Sequence, residues 1–327
     1  MSPAPAIPAV RRAVIDVGTN SVKVLVADVY DHVVVPLLEE SEQTRLGAGF
    51  FQTHRLQPSA IAHTAQAVAD FARTATAQAA SGIRVIATSA ARDALNQAEL
   101  TSAITAASGL PVEILSGEQE ADWAYRGVTT DPELANIPLL LLDVGGGSTE
   151  FILGAGSGQQ FRRSFQLGTV RFLEGTPLSD PPTPAELAAC RHWVRDFLDR
   201  EVRPLLAPAL ALARAQPGQS RSPTLVGTGG TTAILARMEA GLDHYDRNLI
   251  EATRLPLSRL HAWVEELWKL PLAQRKLIPG MPGKRADVIL PGVVIYESLM
   301  EMFAFAELRV TTRGLRFAAV MSPGISG

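Results

Sequence analysis

Leu139-Leu140-Leu141-Leu142-Asp143-Val144-Gly145-Gly146-Gly147-Ser148-Thr149-Glu150 is the stretch on which the reading of the fold turns. Its leucine run is far too short for a membrane span and suits a buried strand. An aspartate ends the run, three glycines and a serine make a turn, and strand-like sequence resumes over 150–153. Three adjacent glycines are costly in a hairpin unless the backbone must approach something closely. A second stretch repeats the arrangement: Ala13-Val14-Ile15-Asp16-Val17-Gly18-Thr19-Asn20-Ser21, resuming over 22–27. Asp16, Val17, Gly18 and Ser21 align without a gap with Asp143, Val144, Gly145 and Ser148. Each stretch reads as a hairpin with a carboxylate at its tip, and the pair reads as a duplication giving two related domains.

Working outward from the first hairpin, residues 33–38 read as a third strand. Pro58 opens a helix over 58–80, with Ile61, Ala65, Val68 and Ala72 spaced for one buried face. A strand over 83–88, a helix over 97–107, a strand over 112–115 and a helix over 118–127 follow. This places the half in the α/β class. The joint to the second half is Asp131-Pro132 through Pro138. Beyond the second hairpin, Thr183, Pro184 and Glu186 match an N-cap, a first helical position and a reciprocal capping carboxylate. That helix is expected to run to about Arg203, where Pro204 follows. Residues 215–223 read as a flexible loop. A strand over 224–226 leads into Gly227-Thr228-Gly229-Gly230-Thr231-Thr232 and a helix to Met238. Residues 308–320 give a strand, a break at Gly314 and a terminal helix.

The chain's 327 residues suit two cores rather than one. With 46% hydrophobic and 19% charged residues it is globular in composition, and only 6% aromatic content favours mixed α/β packing. A net charge of -3 makes non-specific nucleic-acid binding a poor expectation, so a polyanionic ligand needs a local cluster of Arg and Lys. Cys190, the single cysteine, excludes an internal disulfide and a thiolate metal cage, and reads as a small core residue. Arg11-Arg12 follow the Pro/Ala-rich N-terminus, the wrong order for a secretion signal. No run is long enough to span a membrane, so a cytoplasmic location is expected.

Three Gly/Ser/Thr-rich turns follow strands: 18–21 (Gly18, Thr19, Asn20, Ser21), 145–149 and 227–232. Such turns present backbone N–H groups to phosphate with little obstruction, and the third adds a helix N-terminus. Asp16 and Asp143 suit Mg²⁺, a hard cation that bridges carboxylate to phosphate. Equally, each aspartate can cap its own turn. Glu118 and Glu120 stand at a helix start, where they complement the dipole, and where a carboxylate beside a phosphate turn can also accept a proton from water. Arg92 and Arg285 are guanidinium forks suited to phosphate oxygens, though a lone Arg is more often a solvated charge.

Seven segments taken together resemble the exopolyphosphatase/guanosine pentaphosphate phosphatase (Ppx/GppA) family, in that family's order. They are Asp16-Val17-Gly18-Thr19-Asn20-Ser21, Thr88-Ser89-Ala90-Ala91-Arg92-Asp93-Ala94, Ser116-Gly117-Glu118-Gln119-Glu120-Ala121, Asp143 through Glu150, Leu167-Gly168-Thr169-Val170-Arg171, Gly227 through Thr231, and Arg285-Ala286-Asp287-Val288-Ile289. The Asp-Gly turns alone also match sugar kinases and actin-like ATPases. The resemblance implies an α/β fold of two ribonuclease-H-like (actin-like ATPase, ASKHA) domains with an interdomain active-site cleft. It sets them at 1–132 and 133–311, with a C-terminal helix of about 312–327 returning to the first. It implies the short form, without helical extension domains. It makes Glu120 the catalytic base and Asp143 the metal carboxylate. Glu150 is implied as a second acidic residue that binds metal or positions water. Arg92, Arg285, the three turns (Gly145, Gly146, Gly147, Ser148 and Gly229 included) and Asp16 complete the implied phosphate and metal site. Gln119 stands where a first Glu is commoner, and Phe317-Ala318 where Glu-Gly is common.

The expected function is an exopolyphosphatase releasing orthophosphate from polyphosphate ends by Mg²⁺-assisted water attack. Alternatives are a guanosine pentaphosphate (pppGpp) 5′-phosphohydrolase, a kinase of the same fold, or a non-catalytic phosphate-ligand sensor. A homodimer is suggested by the apolar segments 261–270 and 295–306, each of which can equally be core.

Overall fold

The computed structural model describes residues 9–31, 33–215 and 222–322. Outside these lie residues 1–8, most of the expected 215–223 loop and the end of the expected C-terminal helix. The chain divides into two compact units, Met1–Thr130 with Leu315–Gly327, and Asp131–Gly314.

The first unit holds a five-stranded sheet. Its strands are β1 (Val10–Val17), β2 (Val22–Tyr30), β3 (Val33–Glu42), β4 (Ile83–Ala87) and β5 (Val112–Ile114), in the order β3-β2-β1-β4-β5. β1, β2 and β3 pair antiparallel, whereas β4 and β5 add on parallel. Ala13-Val14-Ile15 of β1 are apolar without alternation because both faces of the strand are covered there. Ala13, Ile15 and Val17 enter a core with Ile61, Ala65, Val68 and Ala72 of the helix Pro58–Ala77. Val14 faces the other way, into a cluster with Phe317, Ala319 and Val320 of the helix Leu315–Met321.

The second unit repeats the plan. β6 (Leu139–Val144), β7 (Thr149–Ala155), β8 (Gly158–Phe165), β9 (Thr224–Thr228), β10 (Arg254–Pro256) and β11 (Glu307–Val310) form a sheet in the order β10-β11-β9-β6-β7-β8. Here too three antiparallel strands meet a parallel neighbour, β9 beside β6. The copies share an irregularity: the register shifts between Val26 and Ala27 in one and between Leu153 and Gly154 in the other. These are equivalent positions under the gap-free alignment of the hairpins, so the two hairpins bend at the same place.

The cap expected at Thr183 forms, with Glu186 N–H donating to Thr183 Oγ1 at 3.2 Å and Thr183 N–H donating to Glu186 Oε2 at 2.6 Å. The end expected near Arg203 does not occur. The helix Pro184–Phe197 passes through a π-helical turn, Leu198–Val202, into a further helix, Arg203–Ala215. Arg203 N–H reaches back five residues to Leu198 O, and this wider turn accommodates Pro204, which would break a regular α-helix. Leu206, Leu210 and Ala213 then keep the helix docked on the core. The segments that suggested a homodimer are core: Leu260, Trp263, Val264, Leu267 and Trp268 pack in the same cluster as residues 289–300. Among the described residues no helix is long and apolar enough to cross a membrane.

Candidate active site

The two aspartates close the strands of their hairpins and face different partners. Asp143 pairs across the ladder with Glu150 on one side and Thr228 on the other. Directly opposed residues of an antiparallel pair share a sheet face, so two carboxylates sit together beside the 145–148 turn. Glu150 is buried, and its Oε1 accepts from Ser148 Oγ at 2.9 Å and Ser164 Oγ at 2.7 Å. Gly229 adopts φ +89, and a Cβ there would run into Asp143 Oδ1, so only glycine leaves room for that carboxylate. Carboxylate and hydroxyl oxygens are the donor set that suits a hard cation such as Mg²⁺, and Asp143 with Glu150 fit it.

Asp16 differs. Its ladder partner is Lys23. Burial pushes its carboxyl above the usual range, while the charges of Lys23 and Arg316 pull it back. Arg316 also donates to Val24 O at 3.1 Å and pairs with Glu39 at 3.1 Å. Asp16 thus has cationic neighbours from within its own unit, and fits a metal less well than Asp143 does. The side chains of the neighbouring turn are buried, and Asn20 Nδ2 and Ser21 Oγ have no hydrogen-bond partner among the described residues. Two buried donors of this kind are costly unless a ligand or water meets them.

Glu120 lies in the first turn of the helix Gly117–Val128 and is 9% exposed. Ser116 caps that helix with Gln119 as its reciprocal partner. The unusual Gln119 therefore does a capping residue's work without adding charge beside Glu120. Arg92, on the short helix Ser89–Asp93, donates from Nη1 to Glu120 Oε2 at 2.9 Å and to Leu115 O at 3.3 Å, and from Nε to Asp93 at 3.3 Å. The two residues read as base and phosphate ligand are thus bonded to each other.

In the second unit, Arg285 lies against the start of the helix Gly230–Glu239, where a Cβ on Gly230 would stand 3.0 Å from Arg285 Nη2. Burial lowers the affinity of this guanidinium for its proton, with Asp287 opposing. A cation and a helix N-terminus at one point favour an anion between them.

The model of the Ppx/GppA phosphatase family matches residues 25–322. The chain belongs to that family. Exopolyphosphatase 2 of Mycobacterium tuberculosis is 35% identical over 299 residues, covering 88% of this chain and 89% of that relative. Among solved structures, the Aquifex aeolicus Ppx/GppA family member is 28% identical with a TM-score of 0.75, covering 96% of this chain and 97% of that one. An exopolyphosphatase from Cytophaga hutchinsonii is 25% identical with a TM-score of 0.82, covering 94% and 96%. The fold is the two-domain actin-like ATPase fold of this phosphatase family.

Several residues to which the sequence assigns no individual role also bear on the site. Thr228 Oγ1 donates to Arg313 O at 2.6 Å, beside Asp143. Ser164 holds Glu150, and Arg171 Nε reaches Gly147 O at 2.9 Å. Lys23 was legible, since it falls opposite Glu150 when the hairpin alignment is continued two residues. Ser164 carries no local signal. Phe317 and Ala318, which depart from the family ending, are core residues of the first unit. Cys190 is buried, and burial raises its thiol, as a core residue requires. His261, Glu297 and Glu301 lie close enough together to hold an ion. Arg191 already grips Glu297 at 2.7 and 2.8 Å, however, and Arg195 grips Glu301 at 2.5 Å. These bonds tie the helices Pro184–Phe197 and Ile289–Met302 together and supply the positive charge an ion would bring.

Proposed function

We propose that the chain is an exopolyphosphatase, releasing orthophosphate from the ends of inorganic polyphosphate in a Mg²⁺-dependent reaction. The observation that carries the hydrolytic reading is Glu120: a buried carboxylate at a helix start, held at 2.9 Å by Arg92. A bonded, desolvated carboxylate is well placed to orient water and take its proton. A guanidinium carries five donors, so Arg92 can hold the base and reach phosphate with the same fork. Asp143 and Glu150 would hold the cation, which when bound neutralises charge on the phosphate oxygens. The glycine turns and Arg285 grip the terminal phosphoryl group. The water oxygen bonds to phosphorus, its proton passes to Glu120, and the bridging P–O bond breaks with its electron pair leaving on the shortened chain. Positioning and electrostatics supply most of the acceleration in such transfers. The polyphosphate assignment is supported by the exopolyphosphatase named above at 35% identity.

The test is orthophosphate release from polyphosphates of several lengths and from pppGpp, each with and without Mg²⁺. Polyphosphate is expected to be preferred. A large preference for the nucleotide would replace this substrate, and tight binding without release would make the chain a sensor. Glu120→Gln is expected to lower kcat by about 10²–10⁴-fold with folding intact; near-normal turnover would remove Glu120 from the role of base.

A further inference from the structure

Each glycine turn has a second layer behind it. In the first unit Gly47 N–H donates to Thr19 O at 2.7 Å and Arg45 N–H to Asn20 O at 3.1 Å. In the second, Val170 and Arg171 N–H donate to Gly146 O at 2.9 and 3.1 Å, and Arg171 Nε to Gly147 O at 2.9 Å. Thr19 and Asn20 correspond to Gly146 and Gly147 under the gap-free alignment. The same two carbonyls are therefore engaged in both copies. The engaging segments share a Leu-Gly pair, Leu46-Gly47 and Leu167-Gly168, and both leucines are fully buried anchors.

Both glycines press on the turn they serve. A Cβ on Gly47 would collide with the Thr19 methyl and stand 3.2 Å from Thr19 O. A Cβ on Gly168 would stand 2.6 Å from the carbonyl carbons of Gly146 and Gly147. The first obstacle is chiefly a side-chain methyl, while the second is backbone.

Carbonyl oxygens repel phosphate, so a phosphate turn must keep them turned away. The peptide is planar and trans, so a carbonyl and the N–H of the next residue point in opposite directions. Fixing the carbonyls of Thr19 and Asn20 from one side sends the N–H groups of Asn20 and Ser21 to the other. The same holds for Gly147 and Ser148. Gln43 Nε2 adds to this by donating to Asn20 Oδ1 at 3.4 Å, which leaves the buried, unpartnered Asn20 Nδ2 as a further donor. We infer that the two Leu-Gly segments are a duplicated clamp, with Gly47 and Gly168 as positioning residues that hold each turn's N–H donors toward phosphate oxygens.

This inference rests on the phosphate chemistry proposed above, and the experiment separates the two. Steady-state kinetics on polyphosphate and calorimetric binding of inorganic tripolyphosphate are measured for wild type, Gly47→Ala, Thr19→Ser, Gly47→Ala/Thr19→Ser and Gly168→Ala, with thermal melts. Gly47→Ala is expected to raise KM and the tripolyphosphate Kd about tenfold, because small misplacements of binding groups are expensive, while kcat changes less. Thr19→Ser removes the obstructing methyl and is expected to restore most of that loss. Gly168→Ala meets backbone and is expected to lose more. Unchanged KM and Kd in a folded Gly47→Ala protein overturn the clamp, as does failure of Thr19→Ser to restore them. If Gly168→Ala does not fold, the Gly47 pair still decides. Wild type that binds tripolyphosphate without releasing orthophosphate sinks the proposed hydrolysis but leaves the clamp to be judged by Kd. Wild type that does not bind tripolyphosphate sinks the clamp.

Discussion

The hairpins at 10–30 and 139–155 close on the same bond: Gly18 N–H to Ser21 O at 3.0 Å in one, Gly145 N–H to Ser148 O at 2.9 Å in the other. Their aspartates occupy equivalent strand ends. Across the ladder, however, Asp16 meets Lys23 and Asp143 meets Glu150. The first hairpin balances its buried carboxylate with cations of its own unit, and the second sets carboxylate beside carboxylate. Two negative groups at one strand end repel unless protons or a cation intervene. The comparison teaches that two turns can share one backbone geometry while the charges at their strand ends diverge.

Of the exchanges between the hairpins, the largest expected effect comes from giving the second hairpin the first one's charge. Glu150→Lys removes a carboxylate and the acceptor of Ser148 and Ser164. It should lower kcat by about 10²–10³-fold, the scale of losing a preorganised electrostatic group, and abolish the response to added Mg²⁺. Retained Mg²⁺-dependent turnover would mean that the metal role lies elsewhere.

The reverse exchange should act on stability instead. Lys23→Glu leaves the buried Asp16 facing a like charge and is expected to cost about 1–3 kcal/mol, the scale of an uncompensated buried polar group, in denaturant unfolding. A smaller loss of turnover than in Glu150→Lys would confirm the division of labour, and equal losses would break it.

A subtler test uses pH. The Asp16 carboxyl is raised by burial, so the folded chain holds this proton more tightly than the unfolded one. Stability from this group is then full below the unfolded value, about 3.9, and falls as pH rises toward the raised folded value. Asp16→Asn removes that fall. Across this window, chemical denaturation should show the variant gaining on wild type with rising pH; parallel curves would mean Asp16 titrates normally.

The smallest effect lies outside both hairpins. Thr183→Ala removes a helix cap and should cost about 1 kcal/mol with turnover unchanged. Its partner Glu186 is held down to about 2, first by the Ser179 hydroxyl and then by the Thr183 and Ser179 N–H groups. Its contribution is present above the ordinary Glu value and is lost as pH falls toward about 2, so the melting difference between variant and wild type should shrink in acid.

Much of this was readable from residue types alone, because it depends on local chemistry. An apolar run ending in Asp-x-Gly makes a strand and a tight turn wherever it occurs. Thr-Pro-x-Glu caps a helix through its own backbone, and repetition of the first pattern announced two related units. Features that depend on what lies across a ladder or behind a turn were decided only when the chain folded. Pro204 signalled a helix end, but core packing of Leu206 and Leu210 carried the helix through on a π-turn. The bond from Arg92 to Glu120 joins residues 28 apart in sequence, and no local pattern specifies it. The contrast between Lys23 and Glu150 follows from strand register, and the clamp of Leu46-Gly47 on Thr19 from a close approach that a glycine permits. Sequence determines the parts that a residue builds with its immediate neighbours; tertiary structure determines which charges and carbonyls are neutralised, since those partners are distant in the chain and meet only through packing.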